Sequence, residues 1–265
     1  MICNDEYILL HANQRFHLFD KNFKLIRSNK TSKINENDLK DLNWCDDLNS
    51  FIILTRKDVY FVNPLTIQLN LIENFKIKNF RDEYISCSYS NERFYLIKYQ
   101  YDTKFYSLEQ YQFPSFRFQN KFSIVNLIKK NFSIQNGFSN EHFIEEILSM
   151  KHFQNRLLIL MKISYQWFIF VFDLFDQPIY STRILVEEKS RLIVLNPLNQ
   201  LILYNESLSN SFLQISIRCK EDQQLYFEDL SKGFIDFHGQ LRSIALCGLT
   251  NLILLVDHAL LLYKL

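Results

Sequence analysis

The chain predicts an all-β fold, a six-bladed β-propeller of four-stranded antiparallel blades. Three observations carry that expectation. A short apolar strand motif recurs along the whole chain at blade-like spacing. An apolar residue marks the same place ahead of each copy. The strand runs are apolar at consecutive positions, as sheets covered on both faces require.

The recurring strand reads Tyr7-Ile-Leu-Leu-His11, Phe51-Ile-Ile-Leu-Thr55, Phe94-Tyr-Leu-Ile-Lys98, Leu157-Leu-Ile-Leu-Met161, Leu201-Ile-Leu-Tyr204 and Leu252-Ile-Leu-Leu-Val256. Successive starts lie 44, 43, 63, 44 and 51 residues apart, and four-stranded propeller blades run about 40–50 residues each. Six copies make six units. Cys3, Cys45, Cys87 and Cys247 precede the strand in four units, and Met150 and Leu195 take that place in the other two. Cys, Met and Leu share apolarity rather than metal affinity, so the position reads as a buried residue on an inner strand. No Cys-x-x-Cys or Cys/His pair of ligand spacing occurs to support a zinc site.

A second strand follows each motif after a short turn: Arg15–Asp20, Val59–Val62, Phe105–Leu108, Phe168–Phe172, Phe212–Ser216 and Ala259–Tyr263. Aromatic and β-branched residues dominate these runs, as strands prefer. Each is too short for a helix. The turns between strands have only four glycines in the chain to draw on. Asn is the next residue able to enter left-handed backbone, and the 24 asparagines include several at turns, such as Asn13, Asn22, Asn49, Asn91 and Asn199. A skewed nucleotide composition explains the same excess of Asn, Lys, Ile and Phe, and both explanations stand.

The long interval between units three and four marks an insertion at about 123–143. Ile124, Leu127 and Ile128 have helical spacing, and Asn140 is placed to cap a short Glu141–Leu148 turn. The polar stretch Thr31–Asp41 reads as a connection. Residues 1–265 are expected to form one propeller domain whose last blade has only three recognisable strands. Its outer edge, Ala259–Tyr263, would then invite strand addition by another chain.

Two segments resemble the NHL-repeat strand-turn-strand unit: Arg15-Phe-His-Leu-Phe-Asp-Lys-Asn-Phe-Lys-Leu-Ile-Arg27 and Phe170-Val-Phe-Asp-Leu-Phe-Asp-Gln-Pro-Ile-Tyr180. Phe23 and Gln177 stand near the place where such turns carry glycine. The resemblance implies a six-bladed binding platform for protein or, in some NHL members, single-stranded RNA.

Composition sets the outer limits on function. With 48% hydrophobic and 22% charged residues the chain can bury a full core, which excludes wholesale disorder. Thirty basic residues against 29 acidic ones give a net charge of +1, without the basic footprint of a dedicated DNA-binding domain. The N-terminus Met1-Ile-Cys-Asn-Asp-Glu6 has acids where a secretory signal has bases. No uncharged apolar run reaches the roughly 18 residues of a membrane span. Five cysteines, an odd number, read as reduced thiols, and the expected location is cytoplasmic.

No phosphate loop, nucleophile elbow, zincin motif or EF-hand loop can be written in this sequence. The pair Asp257-His258 has the composition for acid–base chemistry but reads as a solvated hairpin turn. Propeller hydrolases hold calcium with inner-strand carboxylates and amides, for which Asn4, Asp5, Asp46, Asp47, Asn91 and Asn155 offer oxygen ligands. The same residues also serve turn chemistry.

The expectation is therefore a non-catalytic protein-binding module with no cofactor. A single-stranded RNA-binding propeller is the first alternative and a calcium-dependent hydrolase the second. In a meander of four strands, the turn between the second and third strands emerges on the same face as the link to the next blade. That face would carry Arg15, Arg56, Lys57, Tyr101, Lys104, Trp167, Asp257 and His258, rich in the residue types of interface hot spots. The partner expected there is a protein, with RNA as the alternative and no membrane.

Overall fold

The computed structural model describes residues 1–31, 34–90, 92–129, 144–153, 155–174, 178–186, 190–196, 200–205, 211–219, 225–234, 241–247, 251–256 and 259–264; between 178 and 251 only Leu185 and Ala245 are described beyond the backbone.

Strands form because short apolar runs alternate with turns throughout, and each sheet takes its strands in chain order. Blade 1 consists of β1 (Ile2–Cys3), β2 (Tyr7–Ala12), β3 (Arg15–Asp20) and β4 (Leu25–Lys30). Blade 2 follows with β5 (Leu39–Cys45), β6 (Ser50–Thr55), β7 (Val59–Val62) and β8 (Leu69–Leu71). Blade 3 contains β9 (Glu83–Ser90), β10 (Arg93–Gln100), β11 (Phe105–Gln112) and β12 (Arg117–Ser123). A short helix, α1 (Ile124–Lys129), leads away from it. Blade 4 is β13 (Glu146–Phe153), β14 (Arg156–Ile163), β15 (Gln166–Leu174) and β16 (Pro178–Val186). Blade 5 has β17 (Ser190–Asn196), β18 (Gln200–Asn205), β19 (Ser211–Cys219) and β20 (Leu225–Phe234). Blade 6, among the described residues, has three strands: β21 (Leu241–Cys247), β22 (Asn251–Val256) and β23 (Ala259–Lys264).

The first strand of each sheet lies innermost. β1 touches β5, β5 touches β9, and the series continues through β13, β17 and β21 back to β1. The ring therefore closes by packing of blade 6 on blade 1. Their cleft is filled by Cys3, Ile8, Ala245 and Ile253, with Met1, Phe19, Phe23 and Leu260 at its margin. The marker residues all fall on these innermost strands, and Cys3, Cys45, Cys87 and Met150 are buried.

Apolar runs at consecutive positions have a direct cause here. In β6, Phe51 and Ile53 pack towards blade 1, whereas Ile52 and Leu54 pack towards blade 3. In β10, Phe94 and Leu96 face blade 2, and Tyr95 and Ile97 face blade 4. Successive side chains point to opposite faces, so a sheet wedged between two neighbours needs apolar residues at every position. Each such buried side chain contributes on the order of 2 kcal/mol of transfer free energy. Outer strands such as β4 and β12 are mostly exposed and polar.

Two local expectations need correction. Thr31–Asp41 is not wholly a connection, because Leu39–Cys45 is an innermost strand and Asp41 belongs to it. The expected Glu141–Leu148 helical turn gives way to β13, which already includes Glu146–Leu148: Ile147 is needed in the cleft between blades 3 and 4. Helical spacing at Ile124 and Ile128 does correspond to α1, whose two isoleucines are buried in that same cleft. The Ser123 hydroxyl accepts a hydrogen bond from the Asn126 N–H at its start. The rest of the interval, 130–143, lies outside the described residues.

Asparagine relieves only part of the glycine shortage. Asn13 and Asn49 have positive φ, but so do Gln14, Phe23, Ile67, Glu92, Lys104, Phe116, Ser164 and Tyr165. Phe23, near the place that the NHL resemblance gives to glycine, has a φ of 63°.

Candidate functional site

One face of the ring is built from the β2–β3, β6–β7, β10–β11 and β14–β15 turns together with the links between blades. Hydrogen bonds knit each turn to a link. Thr31 N–H donates to the Gln14 carbonyl at 2.8 Å, Arg56 N–H to Asp38 at 2.7 Å, and Ile77 N–H to Lys57 at 3.1 Å. Tyr165 N–H donates to Glu145 Oε1 at 2.7 Å. A groove of about 670 Å³ on this face, lined by Asn13, Gln14, Asn35, Asn37 and Asp38, separates the first turn from the first link.

The residues expected on this face take different roles. Arg15 opens β3 and is exposed beside Lys30, its cross-strand neighbour. Arg56 Nε lies 2.9 Å from Glu83 Oε2, which Lys40 Nζ approaches to 3.0 Å. Burial raises the Glu83 pKa, but hydrogen bonds and charge from Lys40 and then Arg56 outweigh it and hold the carboxyl below its usual value. Lys57 is a structural clamp: its ammonium donates to the carbonyls of Asn79, Phe80 and Asp82. Desolvation by burial lowers its pKa. Tyr101 is 60% exposed, its ring edge-on to Tyr99. Lys104 closes that turn at φ 49° and is exposed. Trp167 is buried and stands behind the face rather than on it. Asp257 and His258 lie outside the described residues.

Two aromatic side chains are more exposed than Tyr101. Phe80, in the link from β8 to β9, is 78% exposed, and Tyr165, at the tip of the β14–β15 turn, is 85% exposed. Each has a cation over its ring, Arg81 at 5.3 Å and Lys162 at 5.6 Å from the centroids. Arg81 in turn pairs with Asp102 at 2.8 Å, and Lys162 with Glu145 at 3.3 Å. The turn carrying Tyr165 has positive φ at both central residues, Ser164 and Tyr165, a geometry that ordinarily selects Asn and Gly. A legible signal existed for Phe80: an aromatic inside the charged segment Lys76–Glu83, where the strand repeat does not need one.

A second polar constellation lies on the innermost strands of blades 2, 3 and 4. Asp41 Oδ2 accepts hydrogen bonds from the Ser86 hydroxyl and from the Cys87 N–H, while Lys151 Nζ lies 3.2 Å from Asp41 Oδ1 and 3.0 Å from Asn43 Oδ1. The Asn43 amide donates to the Cys87 carbonyl, and Ser86 Oγ accepts from the Met150 N–H. The network is dense and mutually satisfied, which suits a brace rather than a reactive centre. Burial pushes the Cys87 thiol well up and the Cys45 thiol to about 11, so both are poor nucleophiles. Among the described residues no group of three or more His, Cys, Asp and Glu side chains is arranged to hold a metal ion. Of the suggested calcium ligands, Asn4 Oδ1 accepts from the Glu6 and Tyr7 N–H groups and Asp46 Oδ1 from the Trp44 indole.

No family profile and no curated protein sequence matches the chain. Solved structures do match its shape. A functionally unknown protein from Desulfotomaculum acetoxidans aligns over 98% of this chain and 75% of its own, at 9% identity and a TM-score of 0.58. The Dos1 propeller aligns over the same shares, at 10% identity and a TM-score of 0.53. The fold is a β-propeller. At such low identity the shared property is the fold alone. No helix among the described residues is long and apolar enough to cross a membrane.

Proposed function

We propose that this propeller is a non-catalytic platform that binds a protein partner through the face bearing Phe80, Tyr101 and Tyr165. The observation that carries the reading is Tyr165, 85% exposed on a left-handed turn that places its ring in solvent. Strain of this kind persists where the surroundings enforce it and is concentrated at functional positions. Exposed aromatics beside arginine are the residue types that dominate binding energy at protein interfaces. The free thiols Cys3, Cys45 and Cys87 suit a reducing, cytoplasmic setting.

Single-stranded RNA on an NHL-like face is the second reading, supported by three exposed aromatics on which bases could stack. Charge argues for protein over RNA. The cations around the aromatics are paired with acids, namely Arg81 with Asp102, Arg56 and Lys40 with Glu83, and Lys162 with Glu145. A phosphate backbone would have to displace those carboxylates.

The test compares proteins cross-linked to the wild type and to a Phe80→Ser, Tyr101→Ser, Tyr165→Ser variant of unchanged melting temperature. Loss of a specific cross-linked protein in the variant supports the platform. Retention of every partner refutes the assigned face. Binding of a labelled single-stranded RNA that weakens about 10-fold or more between roughly 50 and 200 mM salt would replace the protein reading with the RNA one.

A further inference from the structure

Blade 3 carries a second recessed surface on the opposite side of the ring from the aromatic face, and the two share no residue. It is a groove of about 430 Å³ beside β12, lined by Arg93, Gln110, Gln112, Arg117, Gln119 and Asn120 together with Phe118. The strand register explains the grouping. Arg93 lies opposite Gln112, which lies opposite Arg117, forming one cross-strand row. Tyr95, Gln110 and Asn120 form the next row on the same face. The register shifts between Gln110 and Tyr111, leaving Gln119 as the extra residue of a bulge. Bulges re-aim side chains. Here the extra side chain meets the row: Gln110 Nε2 donates to Gln119 Oε1 at 2.9 Å.

That arrangement occupies the Gln110 amide nitrogen and leaves its carbonyl. Gln110 is 2% exposed, and its Oε1 is buried with no hydrogen-bond partner among the described residues. Buried polar atoms are nearly always satisfied, and this one lines the groove. The lining also contains two guanidinium groups and, among the described residues, no carboxylate. Arg93 shares a hydrogen bond with the buried Tyr95 hydroxyl, which fixes its position. Arg117 is exposed and pairs with no acid among the described residues. Among the described residues β12 ends its sheet, the position at which an extended chain adds as a further strand.

A ligand that suits this lining must bring negative charge to the arginines and a hydrogen-bond donor to Gln110. We propose that the groove binds an extended peptide carboxylate, with the carboxylate held by Arg93 and Arg117 and an adjoining backbone N–H donated to Gln110 Oε1. Planar guanidinium groups match a carboxylate through paired hydrogen bonds. The carboxylate can come from an acidic side chain or from a chain terminus.

Three fluorescein-labelled peptides test the proposal by anisotropy on the full chain: four glutamates with an amidated end, four alanines with a free carboxyl end, and four alanines amidated. Saturable binding of the first identifies an acidic side chain, and of the second a terminus. The third is expected not to bind. Arg117→Glu should weaken the bound peptide at least about tenfold through loss of a charge-assisted bond and gain of repulsion. Gln110→Leu should weaken it too while the melting temperature holds, because removing an unsatisfied buried carbonyl offsets the lost hydrogen bond to Gln119, which is exposed and can turn to water. Equal binding of all three peptides, binding of none, or unchanged affinity in folded Arg117→Glu overturns the proposal.

Discussion

Lys151 Nζ stands 3.2 Å from Asp41 Oδ1, joining the innermost strands of blades 4 and 2 across the strand of blade 3 that lies between them. Both side chains are largely buried, at 22% and 13% exposure. Asp41 also accepts from Ser86 and from the Cys87 N–H, so it ties three inner strands together. Its removal would leave the Lys151 ammonium without its carboxylate and take the acceptor from three further donors, the Leu42 and Cys87 N–H groups and the Ser86 hydroxyl. Asp41→Leu is expected to cost about 3 kcal/mol or more, measured by urea unfolding. Lys151→Met should cost less, since it leaves Asp41 its other three donors, the Leu42 and Cys87 N–H groups and the Ser86 hydroxyl. Equal and negligible losses would mean that the pair plays no part in holding the ring.

Lys57 and Lys104 look alike as basic turn residues but differ physically. The Lys57 ammonium is spent on three carbonyls of the link that presents Phe80, whereas Lys104 is exposed. Lys57→Met should therefore lower stability by about 1.5–3 kcal/mol, as hydrogen bonds to a charged group typically contribute. Lys104→Met should stay within about 0.5 kcal/mol. Hydrogen exchange at residues 79–82 should accelerate in the first variant only. No acceleration there would remove Lys57 from the role of clamp.

What is readable in the sequence follows from the same differences. The β6 run Phe51-Ile-Ile-Leu54 announces itself because both faces of an inner sheet are covered, so burial leaves a continuous apolar signature. Asp41 reads as part of a polar connection because a charge on an innermost strand breaks that signature, and its partner Lys151 is 110 residues away. Trp167 reads as a face residue from its neighbours in the turn, yet a strand that starts at Gln166, two residues before the expected Phe168, turns it inward. The groove at Gln110 depends on a bulge, and nothing in the sequence Arg117–Ser123 distinguishes an extra residue from a paired one.

His152 offers a pH-dependent readout of the inner ring. Burial lowers its pKa from 6.5 to about 4, so the folded protein keeps the imidazole neutral where the unfolded chain would protonate it. The unfolded state then binds more protons between those values, and stability must fall as pH drops from about 6.5 to 4. The full effect is about 3 kcal/mol at most, because each tenfold loss of proton affinity on folding is worth about 1.4 kcal/mol. Glu83, held below its usual pKa, adds a loss of the same sign at lower pH. His152→Leu should flatten the stability–pH slope between about pH 6.5 and 4 relative to wild type, with the Glu83 component unchanged. Parallel slopes in the two proteins would show that His152 is not buried in solution.

β23 tests what the outer edge of blade 6 does, no further strand covering it among the described residues. It is the last strand of the blade 6 sheet, and Leu262 is 57% exposed there and Leu261 37%. An apolar edge with free backbone donors and acceptors is a template for another strand, and charge is the usual means of blocking it. Leu260 on the same strand packs at the margin of the cleft with blade 1, so it is not a neutral place to put a lysine. Leu262→Lys, by contrast, should leave the melting temperature within about a degree, as exposed substitutions do. The same variant should shift sedimentation toward the monomer wherever the wild type shows concentration-dependent association. If both proteins associate equally, the contact responsible lies elsewhere on the surface.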